Sequence, residues 1–385
     1  GFCHGGKIIM FFMKKTSLGL FLLLILTLAC SATTPTPDST PQTPLAPDSA
    51  TKPSAMLTEI DLPVGYGFQG TWFELYFTDP ANPLSSQQTG GIDQPLADAI
   101  DSAKLSVDIA IYSLSLNSIR DAILRAQDRG VQVRMVMESE NMDRSDPQRL
   151  IDAGIPILGD RREGLMHNKF VIIDGSEVWV AGMNYTDTGT YEDNNTMMRI
   201  RSVKMAENFT TEFEEMFVDD KFGDNVRAET PNPRVTIDGT PMDIYFSPDD
   251  GVQAVLVDIL GEAQESIYFM AFSFTADPLG DVIRQRAENG VTVAGVMDEE
   301  QVKSNTGTEF DPFRQAGLDV FVDGNPGQMH HKIMIVDEST VIVGSYNFSS
   351  SAETRNDEYL LVIYNEEIAA QFIEEFKRIY GQAKE

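Results

Sequence analysis

The chain repeats itself, and the repeat decides most of what it can fold into. Ser106-Val107-Asp108-Ile109-Ala110-Ile111-Tyr112-Ser113 lines up with Ser266-Ile267-Tyr268-Phe269-Met270-Ala271-Phe272-Ser273 at an offset of 160 residues. Both runs read as buried strands. Each continues into a helical pattern, over 118–129 or 278–289, closed by Gly130 or Gly290, and then into a second apolar run, 131–137 or 291–297. A glycine closing a helix marks its left-handed C-terminal turn. Strand, helix, strand predicts a parallel pair joined by a crossover. Further on the offset becomes 163, and Phe209, Phe213, Met216 and Phe217 correspond to Phe372, Phe376, Ile379 and Tyr380. Their spacing predicts a helix that covers a sheet face in each half. The opening strands, 75–79 and 244–248, also match. The halves are placed at 56–229 and 240–385, joined by the Pro- and Gly-bearing stretch 230–240.

Within this frame one motif recurs. Met166-His167-Asn168-Lys169 leads through an apolar run to Asp174, and Met329-His330-His331-Lys332 leads through another to Asp337. Ten residues past each Asp stands an Asn, Asn184 or Asn347. The chain has four histidines, and apart from His4 all of them, His167, His330 and His331, sit in a copy of this motif. The pattern reads as a buried hairpin. Residues two apart on an extended chain share a face, so His and Lys of each copy can reach one bound group. An imidazole beside an ammonium suits a phosphate.

Two His-x-Lys-x4-Asp motifs with Gly-Ser-x-Asn following the second resemble the phospholipase D superfamily, over about residues 70 to 380. The resemblance implies an α/β fold of two similar phospholipase D-like α/β sandwich domains, with pseudo-twofold symmetry and one shared active site. Neither half is then expected to act alone. It also implies covalent catalysis in which one imidazole attacks phosphorus and the other protonates the leaving oxygen, then acts as base on water. By similarity His167 is the nucleophile and His330 the acid and base, a symmetry that the residues themselves leave unbroken. Lys169, Lys332, Asn184 and Asn347 would hold the nonbridging oxygens. Asp174 and Asp337 complete the motif, and as residues that precede turns they also suit bonding of turn amides. His331 lacks the two-residue spacing to Lys332 and is expected to face the other way, as a surface or supporting residue. In the family an acidic residue downstream of each motif often orients an imidazole. Glu358 fits that role in the second half, whereas its counterpart by offset is Asn195, leaving Glu192, Asp193 or Asp187 as substitutes. No metal-ligand spacing appears, so neither metal nor cofactor is expected.

The first residues have a different character. Met13-Lys14-Lys15-Thr16 precedes an apolar run over 18–28 and then Ala29-Cys30, the layout of an export signal over 1–30. The ending resembles a lipoprotein signal, with Cys30 lipidated to anchor the chain at the cell envelope. Thr27 departs from that pattern, and an uncleaved anchor or release by the general signal peptidase are the alternatives. Cys3 and Cys30 are the only cysteines, so no disulfide is expected beyond the leader. Residues 31–55 are rich in Pro, Thr and Ser and read as a solvated tether.

Formal net charge is −30, and loss of Lys7, Lys14 and Lys15 with the leader makes it more negative. Nonspecific nucleic-acid binding needs a basic footprint, so the bulk field opposes a polyanion. The expected substrate is a phospholipid headgroup ester, with transfer to alcohols as well as water, handled outside the cytoplasm by a chain that needs no oligomer. The alternatives are a secreted nuclease of the same superfamily and a noncatalytic phosphate-ligand binder. Lipid synthases of the cardiolipin type share the motifs and are set apart by the membrane helices that usually precede them.

Overall fold

A computed structural model describes residues 57–385; the expected signal, Cys30 and the tether lie outside them. Two sheets are built to one plan. In the first, strands run in the order Thr58–Asp61, Tyr66–Gln69, Phe73–Phe77, Thr196–Ile200, Glu177–Ala181, Lys169–Ile173, Ser106–Ile111, Gln132–Met137 and Ile157–Gly159. In the second the order is Arg234–Ile237, Thr240–Ser247, Glu358–Tyr364, Thr340–Gly344, Lys332–Val336, Ser266–Ala271, Thr292–Met297 and Asp319–Val322. The two lists match strand for strand once the first sheet's extra edge strand, Thr58–Asp61, is set aside.

The repeated unit folds as its pattern predicts. Ser106–Ile111 and Gln132–Met137 pair in parallel across the helix Asn117–Asp128, and Ser266–Ala271 and Thr292–Met297 do so across Asp277–Glu288. The histidine motifs open antiparallel hairpins, Lys169–Ile173 with Glu177–Ala181 and Lys332–Val336 with Thr340–Gly344. The first strand of each hairpin is buried at all five positions, because helices or the other sheet cover both faces. One expectation needs correction. The joining stretch 230–240 is not a plain linker, since Arg234–Ile237 already pairs with Thr240–Ser247 in the second sheet.

Each sheet buries one face privately and shares the other. Helices Asp93–Ser102 and Asn117–Asp128 close a core of their own on the first sheet, and Val252–Glu262 and Asp277–Glu288 do so on the second. A third core mixes residues of both halves, Phe170, Val180 and Met198 with Ile333, Val343 and Leu361. Helices Val203–Phe217 and Glu366–Ala383 contribute to it on the 3.6-residue spacing seen in the sequence. Phe209 packs edge-on to Phe246 and Tyr359 of the other half at 5.3 and 5.5 Å, and Phe372 returns the contact to Phe77 at 5.3 Å. The apolar seam fixes one half against the other. No helix among the described residues is long and apolar enough to cross a membrane.

Candidate active site

Where the seam reaches the histidine motifs, the backbone itself crosses between the halves. The amide of His167 donates to the Asp357 carbonyl at 2.9 Å, and the amide of His330 donates to the Asn194 carbonyl at 3.0 Å. Asp357 and Asn194 occupy the same position of the repeat. Their amides donate in return to the carbonyls of Leu165 and Gln328, at 2.9 and 2.8 Å. Each bridge therefore holds the segment before one imidazole against the strand start of the opposite half.

The next residue along each crossing strand reaches the ring. Glu358 Oε2 lies 2.6 Å from His167 Nδ1, and Asn195 Oδ1 lies 2.9 Å from His330 Nδ1. Orientation is thus exchanged between halves. Glu358 pairs with the histidine of the first half, and the departure from pattern at Asn195 is itself the partner of the second. The proposed substitutes do not take the role: Asp193 accepts from the Gln328 amide at 2.9 Å, Glu192 is exposed, and Asp187 opens the short helix Asp187–Tyr191. None of the three bonds either ring among the described residues.

These partners fix the tautomers. Asn195 gives its Nδ2 to the Gly189 carbonyl at 2.8 Å, which can only accept, so Oδ1 is the atom turned to His330. An oxygen there requires a proton on His330 Nδ1. The Glu358 carboxylate requires the same of His167. Both rings therefore carry their free lone pair on Nε2 when neutral.

Lys169 and Lys332 are buried beside them, each donating Nζ to the carbonyl of its own motif histidine, at 2.7 and 2.6 Å. An ammonium has three donors, so each retains further capacity. Two aromatic rings line these groups. Tyr112 lies 5.4 Å from the His167 ring and 5.4 Å from Lys169 Nζ; Phe272, its repeat equivalent, lies 4.6 Å from the His330 ring and 4.7 Å from Lys332 Nζ. Sequence reasoning matched these two residues without giving them a role. Their strand-end position beside the motif was the available signal.

The electrostatics follow from crowding cations in a buried site. Burial pushes His167 down to about 4 and Lys169 down to about 7, with Glu358 pulling both upward. His330 and Lys332 are likewise depressed, by burial first and then by the neighbouring cations. Glu358 is the carboxylate hydrogen-bonded to an imidazole here, and Asp193 and Asp298 also pull Lys332 upward. Two lysines and two imidazoles so placed suit a phosphate.

Other predicted residues separate from this group. Asp174 accepts from the amides of Lys104, Leu105 and Ser106, and Asp337 from those of Gln264, Glu265 and Ser266, at 2.6 to 3.1 Å. Burial alone would raise these carboxyls, but the amides outweigh it and hold them below the usual range. Their work is architectural. Among the described residues, the buried side-chain oxygens of Asn184 and Asn347 have no hydrogen-bond partner, and neither residue is bonded to an imidazole. His331 does face away, but it is not at the surface: at 1% exposure it bonds Thr196 Oγ1 at 3.0 Å and Glu375 Oε1 at 2.9 Å. Helix Glu366–Ala383 covers that side of the strand. No group of three or more His, Cys, Asp or Glu able to hold a metal ion occurs among the described residues.

Residues 96–217 and 256–380 match the family model described as cardiolipin synthase, PLD-like domain, well over half of the chain. The chain belongs to the phospholipase D-like family. Among its phospholipase D-like relatives, the mitochondrial cardiolipin hydrolase of Chlamydomonas reinhardtii is 32% identical over 128 residues, 33% of this chain and 57% of that protein. The phospholipase D of Rickettsia typhi is 30% identical over 129 residues, 34% of this chain and 63% of that one. The chain thus spans somewhat over half the length of these curated relatives. The crystal structure of phosphatidylserine synthase from Haemophilus influenzae has the same fold at a TM-score of 0.58 and 14% identity, over 83% of this chain and 88% of that one. The two matched segments fall one in each half, in step with its two similar sheets.

Proposed function

We propose that the protein hydrolyses phospholipid headgroup esters through a phosphohistidine on His167, with transfer to alcohols as a side reaction. The observation that carries this reading is the unequal pairing of the two imidazoles. Attack by Nε2 of His167 on phosphorus leaves that ring positively charged, and the Glu358 carboxylate on its Nδ1 offsets the charge as it develops. His330 has only the neutral Asn195 amide, so its protonated form is weakly held and gives its proton readily to the leaving oxygen. In the second step neutral His330 takes a proton from water, which attacks phosphorus and frees His167. Lys169 and Lys332 bind the nonbridging oxygens throughout, and Asn184 and Asn347 supply further donors. Because both half-sites lie in one chain, no oligomer is required.

Export and anchoring at the cell envelope through Cys30, or release from it, complete the proposal and rest on the leader sequence. They bring the site to lipid, and the net charge of −30 opposes polyanions. The deciding experiment offers residues 57–385 a phospholipid panel and single- and double-stranded DNA and RNA, all with chelator present. Release of headgroup and phosphatidic acid without cleavage of nucleic acid is the expected result. Nucleic-acid cleavage without headgroup release would instead assign a nuclease, and strict dependence on an added metal would remove the mechanism.

A further inference from the structure

The frame around the two imidazoles is so nearly symmetric that it cannot by itself tell one ester arm of a phosphodiester from the other. Its flanks can. A cavity of about 440 Å³ opens beside the segment that leads into His330, lined by Tyr191, Glu192, Asn325, Pro326, Gly327 and Ser86 among others. A smaller one of about 170 Å³ lies beside the segment that leads into His167, lined by Arg162, Gly164 and Arg355 with Phe222, Asp224 and Asn225. At the offset of 163 these are the same place in the two halves: Arg162 corresponds to Asn325, Gly164 to Gly327 and Arg355 to Glu192. Charge is reversed between them. Arg162 is committed to the buried Asp357, while Arg355 is an exposed cation whose ion-pair partner, Glu163, stands 3.6 Å away and is itself almost wholly exposed. Glu192 is exposed, and no cationic side chain pairs with it among the described residues.

The direction of the reaction assigns the larger cavity. When Nε2 of His167 bonds to phosphorus, the P–O bond to the alcohol breaks on the opposite side of phosphorus, and the alkoxide takes its proton from His330. The departing alcohol therefore leaves by the His330 flank. Glu192 lies three residues before Asn195, the partner of His330, and Gly327 three residues before His330 itself. We propose that the Glu192 cavity receives the leaving alcohol and that Glu192 is a specificity-determining residue, favouring cationic alcohols over neutral ones of the same shape and disfavouring anionic ones. The carboxylate supplies the charge, and Pro80 and Pro326 supply apolar wall against which an alkylammonium can rest. An alcohol that carries a further phosphate, as in a polynucleotide or a two-phosphate lipid, would meet like charge there. The assignment rests on the proposed roles of His167 and His330, but the cavity can be tested apart from them.

The test compares two lipids that differ only in the headgroup, phosphatidylcholine and its neutral 3,3-dimethylbutyl isostere, presented in a nonionic detergent to remove surface charge. Alongside turnover, choline alone is titrated and followed by NMR. Wild type should prefer the choline ester by roughly five- to tenfold in kcat/KM, the scale of one ammonium contact in a part-solvated site. Glu192→Gln should bring the ratio near one, chiefly by lowering kcat/KM for the choline ester, and Glu192→Arg should reverse it. Turnover of both lipids with a ratio unmoved by Glu192→Gln overturns the cavity assignment and leaves the phospholipase reading standing. If neither lipid is turned over, that reading falls and choline binding decides the cavity alone: saturable shifts that Glu192→Gln abolishes support it, and their absence overturns it.

Discussion

Replacing Glu358 by glutamine isolates the charge behind His167. The amide still offers an oxygen to the Nδ1 proton at the 2.6 Å contact, so the ring keeps its tautomer and orientation, and the packing volume hardly changes. What is lost is the difference between a charge-assisted and a neutral hydrogen bond, roughly 1–2 kcal/mol in a buried setting. That difference matters little while the imidazole is neutral and fully when it carries positive charge on bonding to phosphorus. The deficit should therefore fall on formation of the covalent intermediate, slowing it by about 5- to 30-fold. His330 is the internal reference, since it already works with an amide, Asn195, at 2.9 Å. Single-turnover kinetics with an activated aryl phosphodiester read the step directly, because a good leaving group needs no acid and the burst reports attack alone. Glu358→Gln should slow the burst and leave the later release of phosphatidic acid nearly unchanged. A burst within threefold of wild type, with slowed release instead, would transfer the nucleophilic role to His330 and refute the argument from unequal partners.

Three further outcomes follow from the same geometry. His330→Ala given the activated diester should accumulate a phosphoryl adduct that mass spectrometry finds on the peptide containing His167; an adduct on the His330 peptide in His167→Ala, with none here, would reverse the assignment. Asp174→Ala and Asp337→Ala each strip a carboxylate from three backbone amides and should cost about 2 kcal/mol of stability, the scale of a lost helix cap; thermal melts should fall while kcat at 25 °C stays within about threefold, and the opposite pattern would return these residues to the chemistry. His167 is held near 4 in the folded chain against an ordinary 6.5 for imidazole, so the unfolded chain binds the extra proton between those values and stability should fall as pH drops from about 6.5 to about 4; His167→Gln should flatten melts across that window, and an unchanged slope would mean that other groups set it.

Much of this is legible in the sequence alone. The repeat carries its own register, so the pairing of Ser106–Ile111 with Gln132–Met137 and the hairpin after each motif follow from apolar runs and glycine stops. The spacing that selected His330 over His331 is a property of one strand, and local patterns are what a sequence displays. What escaped is whatever depends on two strands from different halves meeting. Chain order gives Glu358 to the second half and leaves Glu192, Asp193 or Asp187 for the first, because nothing in it tells that Glu358 crosses to His167 or that the amide oxygen of Asn195 suffices for His330. His331 was expected at the surface or in support for a related reason: alternation gives the face of a strand but not what lies over it, and the cover is a helix more than 30 residues downstream, bearing Glu375. Tyr112 and Phe272 read as core residues at the ends of apolar strands, and only the fold brings each ring to a histidine and its lysine.

The crossed bridges at His167 and His330 have a consequence for how such a site can change over generations. Two identical subunits facing each other would receive every substitution twice, so the surroundings of one imidazole could never be altered without altering those of the other. Here both copies lie on one chain, and a mutation lands on one side only. The carboxylate at Glu358 with the amide at Asn195 is a difference that this freedom permits, as is the buried His331 with Glu375 opposite Asn168 with Glu212. Duplication within a single reading frame turns a symmetric frame into one whose halves can specialise independently, provided the backbone bridges that join them are left alone.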